Sequence, residues 1–133
     1  MGGLSQVETS GAPAAIGPYS QAVRVGEWLF VSGQIPLDPL SGVLVEGDIS
    51  MQTERVLENI GAILAAAGAG FGDVVKSTLY LLDMADFVAV NGVYGRYFRA
   101  PYPARATLGV AALPKGARVE MEVIAWLAHG SAE

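Results

Sequence analysis

The stretch Val74-Val75-Lys76-Ser77-Thr78-Leu79-Tyr80-Leu81-Leu82 decides the fold. Apart from Lys76, Ser77 and Thr78 it is apolar on both faces, which suits a strand buried between layers rather than one with a wet side. On its N-terminal side, apolar residues recur at Val56, Ile60, Ile63, Leu64 and Ala67. That spacing predicts a helix over 48–67, with Asp48 or Ser50 as its cap and Gly68 ending it in the left-handed conformation. On its C-terminal side a second helix is predicted, opened by Asp83 or Asp86, with Phe87, Val90, Tyr94, Tyr97 and Phe98 as its buried stripe. Asn91 falls on a different side of that helix from the stripe, where a plain surface amide is an equally good reading. Pro101 and Pro103 forbid continuation.

Further out, Gln21–Val25 and Trp28–Ser32 read as a β-hairpin turning at Gly26-Glu27, and Pro36 to Gly42 is turn chemistry. Ala104–Val110 and Ala117–Leu127 are the last two strands, joined through Leu113-Pro114-Lys115-Gly116. The order is hairpin, helix, strand, helix, strand, strand. It describes an α+β fold, with a mixed sheet and both helices packed on one face. Residues 1–12 are polar or small and are expected to be a flexible segment, 13–128 the single domain and 129–133 a tail.

Composition narrows the function. The chain has 133 residues, enough for one core, and 52% of them are hydrophobic against 16% charged. So apolar a small domain is expected to bury surface against copies of itself. A net charge of −5 argues against a nucleic-acid partner, which needs clustered cations. With no cysteine there are no disulfides and no thiolate chemistry, which fits a cytoplasmic protein. The N-terminus lacks the basic and apolar regions of a signal peptide, and no run reaches the roughly 20 apolar residues that span a bilayer.

Few side chains are left for chemistry. Arg105 follows Pro103-Ala104 and precedes Glu120 by 15 positions. Its guanidinium is a planar fork suited to a carboxylate, and a glutamate brought near it could steer a water molecule. Glu120 and Glu122 share one side of their strand with Ile124 and Trp126, and the residues alone do not choose between the two. Tyr19, after Gly17-Pro18, could simply pack on the hairpin. Ser32 has no histidine partner, so a serine nucleophile is not expected. Lys76 reads as a snorkelling or paired lysine, and His129 as a solvated bystander.

Taken together, Ala14-Ala15-Ile16-Gly17-Pro18-Tyr19-Ser20-Gln21, Ser32-Gly33-Gln34-Ile35-Pro36, Asn91, Pro103-Ala104-Arg105, Leu113-Pro114-Lys115-Gly116 and Val119-Glu120-Met121-Glu122-Val123-Ile124-Ala125 resemble the RidA (YjgF) family, the reactive intermediate deaminases. The resemblance runs from about Ala12 to Trp126. It implies a chorismate-mutase-like fold and a homotrimer with sites between subunits. It also implies hydrolysis of small 2-imino acids to 2-keto acids and ammonia, with no cofactor and no metal. By that resemblance Arg105 holds the substrate carboxylate and Glu120 directs the water. Tyr19, Ser32, Gly33, Phe87, Asn91 and Thr107 shape the pocket. Some relatives carry a cysteine where this chain has Thr107, so no thiol role transfers. Two other readings are an RNA-cleaving translation inhibitor and a non-catalytic trimer that binds small acids.

Overall fold

The structure, a computed structural model, describes residues 3–128, so the expectation for His129 and the tail lies outside the described residues. Its elements are β1 (Ser5–Val7), β2 (Ala22–Val25), β3 (Trp28–Gln34), α1 (Ile49–Ala66), β4 (Val74–Leu81), α2 (Phe87–Tyr94), β5 (Ala104–Gly109) and β6 (Val119–Trp126). They build one six-stranded sheet in the order β1-β2-β3-β6-β4-β5. Only β4 and β5 are parallel, joined by the crossover through α2.

Strands β6 and β4, each with a neighbour on both edges, are apolar toward the helices for a physical reason. On β6, Val119, Met121, Val123 and Ala125 turn to the helices and are buried, while Glu120, Glu122, Ile124 and Trp126 take the opposite face. On β4, Ser77, Leu79 and Leu81 join the buried layer. The stripe Val56, Ile60, Ile63 and Leu64 of α1 closes over it with no exposure. Asp48 accepts the Met51 N–H at 2.9 Å as the N-cap, and Gly68 follows the helix with φ of 78°. The hairpin forms as expected, with Val25 opposite Trp28 and Gly26 at φ of 60°.

Two expectations need correction. The segment 1–12 is not simply loose: Ser5–Val7 pairs with Ala22–Arg24 as an edge strand. The buried Gln21 side chain ties the next stretch down, accepting from Thr9 N–H at 2.7 Å and donating to the carbonyls of Thr9 and Pro13 at 3.0 and 2.8 Å. An edge strand needs backbone partners more than apolar side chains, so its polar sequence hid it. The second helix also ends at Tyr94, before the prolines. Gly92 and Gly95 weaken its end, Tyr97 donates to Glu58 at 2.8 Å instead, and Phe98 turns into the core.

The sheet face away from the helices carries Trp28 and Phe30 of β3 beside Trp126 and Ile124 of β6. Trp28, Phe30 and Trp126 are each more than two-fifths exposed, with the two indole rings 6.4 Å apart. No helix among the described residues is long and apolar enough to cross a membrane.

Candidate active site

Glu120 owes its surroundings to an irregularity in β3. Val31 pairs with Val123 and Gln34 with Met121, so β3 spends one residue more than β6 over that interval. This bulge at Ser32-Gly33 interrupts the pleat and brings a glycine against the glutamate. A methyl group on Gly33 would overlap Glu120 Oε2 and lie 3.0 Å from Cδ, so only glycine admits the carboxylate there. No hydrogen bond or ion pair among the described residues engages that carboxylate. Burial, and then the charge of Glu122, raise its pKa above the usual carboxylate range. Ser32 is committed elsewhere, its Oγ donating to the Ser20 carbonyl at 2.6 Å. Glu120, Ser32, Gly33, Tyr19, Ile16 and Lys115 line one cavity of about 560 Å³. Lys115 has φ of 58°, a left-handed conformation that a lysine rarely takes.

Arg105 stands in a different cavity, of about 360 Å³, walled by Asn91, Tyr94, Tyr102 and Pro103. Its Cζ lies over the rings of Tyr94 and Phe87, 4.8 and 5.6 Å from their centres. No acidic side chain among the described residues pairs with it; the ion pairs there belong to Arg24, Arg96 and Arg118. A half-buried cation with its charge unmatched attracts an anion. Beside it, Asn91 Oδ1 is buried with no hydrogen-bond partner, a state costing about 1–3 kcal/mol until something donates to it. Asn91 therefore does not sit apart from the Phe87 and Tyr94 stripe. Positions 87, 91 and 94 are spaced by four and three, which places them on one helix face.

The expected meeting of Arg105 with Glu120 does not occur within one chain. Arg105 pairs in register with Ser77, whose side chain points to the helices, while Glu120 pairs with Tyr80 on the other side of the sheet. The two side chains leave opposite faces, two strands apart. Thr107 shares the Arg105 face, opposite Leu79. Glu122 lies with Lys76 and Ser32 along the open face, beside the Glu120 cavity. Of the residues singled out from the sequence, Tyr19, Ser32, Gly33 and Glu120 line one cavity, while Asn91 and Arg105 line the other with Phe87 under the guanidinium. The sequence reading missed Tyr94, Tyr102 and Lys115 as wall residues. The spacing of Tyr94 from Asn91 and Phe87 held the signal for the first of these. Among the described residues no group of three or more His, Cys, Asp or Glu is arranged to hold a metal ion.

The family model described as endoribonuclease L-PSP matches residues 9–127. The chain belongs to this family, the RidA proteins. Among curated RidA relatives, the 2-iminobutanoate/2-iminopropanoate deaminase of Capra hircus is 56% identical over 119 residues, covering 90% of this chain and 87% of that protein. The crystal structure of RidA from an Antarctic Psychrobacter superposes with a TM-score of 0.89 at 48% identity, covering 92% of this chain and 99% of that one. E. coli TdcF with bound serine superposes at a TM-score of 0.87 and 43% identity, covering 92% and 98%.

Proposed function

We propose that this protein hydrolyses small 2-imino acids to 2-keto acids and ammonia, in a homotrimer, at sites where the Arg105 cavity of one copy meets the Glu120 cavity of the next. The observation that carries the proposal is the separation of an unmatched guanidinium and an unpartnered carboxylate onto opposite faces of one sheet. A single copy cannot bring both to one substrate, and the apolar open face supplies surface for a second copy to cover. The names of the curated relatives supply the reaction. The serine in TdcF is a small amino acid with a carboxylate, the kind of group a guanidinium takes.

The chemistry asks little of the protein. A protonated imine is already electrophilic at carbon. Arg105 grips the carboxylate through two N–H bonds and fixes the C=N carbon in place. Glu120 orients a water about 3 Å from that carbon and accepts its proton as oxygen adds. The carbinolamine then takes a proton on nitrogen and expels ammonia, so that iminium and water become ketone and ammonium. A pKa raised by burial suits Glu120 to receive and return one proton. Tyr19, Ser32 and Gly33 shape the pocket from the Glu120 side, with Phe87, Asn91 and Thr107 on the Arg105 side. No cofactor or metal takes part in this scheme.

Arg105→Ala and Glu120→Gln are each expected to lose ammonia release from 2-imino acids by more than about 100-fold. Co-assembly of the two inactive variants should restore part of the activity, because a mixed trimer contains sites with both native residues. Failure of every mixture to recover activity, with assembly confirmed by mass, refutes a shared site. The family description names a ribonuclease, and the same preparations incubated with labelled RNA decide that reading. Cleavage lost in Arg105→Ala would support it.

A further inference from the structure

A guanidinium on a flexible stem points where its surroundings hold it, and among the described residues no acid pairs with Arg105. Two aromatic faces do, and the nearer, Tyr94, is unusually well fixed. Its ring is buried and stacked on Phe98 at 4.3 Å and 24°. Its hydroxyl lies 2.7 Å from Ser77 Oγ, itself fully buried. Burial, chiefly, keeps the Tyr94 phenol above its ordinary pKa and so uncharged. Ser77 is also the β4 residue opposite Arg105 in the parallel ladder. One serine thus fixes both the tyrosine and the strand position from which the arginine rises.

We infer that Tyr94, anchored by Ser77, is a positioning residue that orients the Arg105 guanidinium for its carboxylate ligand. The inference rests on the reading above that Arg105 receives the substrate carboxylate. The choice of an aromatic partner has a chemical logic. A ring holds the cation by its face and leaves the in-plane N–H donors free. An aspartate or glutamate in the same place would occupy those donors, neutralise the charge and compete with the substrate. The clamp fixes direction without spending the fork.

Steady-state kinetics and calorimetry with 2-oxobutanoate as the probe test this. Tyr94→Leu, which removes the ring, should raise KM and the probe's Kd about tenfold, the size of a partly desolvated cation–π contact, while kcat stays within about threefold. Tyr94→Phe keeps the ring and should recover most of that loss. Ser77→Ala, a small change in a buried position, should raise KM about threefold, and it carries the test if Tyr94→Leu does not fold. Wild-type KM in Tyr94→Leu, or in Ser77→Ala when the leucine variant is unfolded, overturns the inference. A Phe variant as impaired as the Leu variant also overturns it, as does a fall in kcat that tracks lost thermal stability. Arg105→Ala separates the two levels. If it binds the probe as wild type does, the carboxylate reading itself fails. If it loses binding while the Tyr94 and Ser77 variants do not, only the positioning role fails.

Discussion

Gly33→Ala isolates the geometry of Glu120 without touching the glutamate. The added methyl would lie 3.0 Å from Glu120 Cδ and 3.3 Å from Cγ, and overlap Oε2. Carbon atoms rest at about 3.5–4.0 Å, so the carboxylate must withdraw by about an ångström. Because it is the free end of a flexible side chain, it can move while the sheet stays in place. Gly33 is not among the positive-φ glycines, so alanine fits its backbone and even narrows the unfolded ensemble, a gain of about 0.4–1 kcal/mol. The unfolding midpoint should therefore stay within about 4 °C of wild type. Catalysis should not: an ångström of misplacement costs about 100-fold in kcat/KM, about 2.7 kcal/mol of transition-state stabilisation. The assay is ammonia release from 2-imino acids generated in situ by an amino-acid oxidase, corrected for spontaneous hydrolysis. A folded Gly33→Ala protein with wild-type kcat/KM would falsify the view that the bulge places a working carboxylate.

Two further expectations follow from charge and from hydrogen bonding. Glu120 has its pKa raised in the fold, so the folded chain holds the proton more tightly than the unfolded one and stability falls as pH rises through the folded value. Glu120→Gln should accordingly unfold at a higher temperature than wild type at neutral pH, with the difference closing below the ordinary 4.5, as thermal melts across pH would read. Gln21→Leu keeps the volume but strands the Thr9 N–H and the Pro13 carbonyl, and should cost about 2 kcal/mol. Hydrogen exchange at Thr9 should quicken, and an unchanged exchange rate would show that Gln21 does not secure the N-terminal segment.

The layered architecture was legible because burial leaves a periodic mark. The α1 stripe follows directly from what it packs against, whereas β4, read as buried on both faces, is buried on one: Ser77, Leu79 and Leu81 turn to the helices while Lys76, Thr78 and Tyr80 stay half-exposed on the open face. The hairpin announced itself through Gly26. Other features depend on partners a linear reading does not see. The bulge at Ser32-Gly33 exists only in relation to β6, and nothing local distinguishes it from regular strand. The face taken by Arg105 is set by its register with Ser77, that of Glu120 by its register with Tyr80. Fifteen positions along the chain suggested proximity, and two strands of pleat reversed it. β1 escaped notice because Ser5 and Gln6 contribute hydrogen bonds rather than burial. Asn91 was misplaced even though Phe87 and Tyr94 stood in the stripe, because its spacing of four from the one and three from the other was not followed round the helix.

Under the proposed function, the opposed exits of Arg105 and Glu120 make activity depend on quaternary state. On that reading a lone polypeptide would carry the proposed grip and the proposed water-steering acid back to back, so on dilution it is expected to capture acids yet turn none over. In the proposed assembly specific activity reports the associated fraction, and a change at Trp28 or Trp126 on the exposed apolar face is expected to lower it by weakening association.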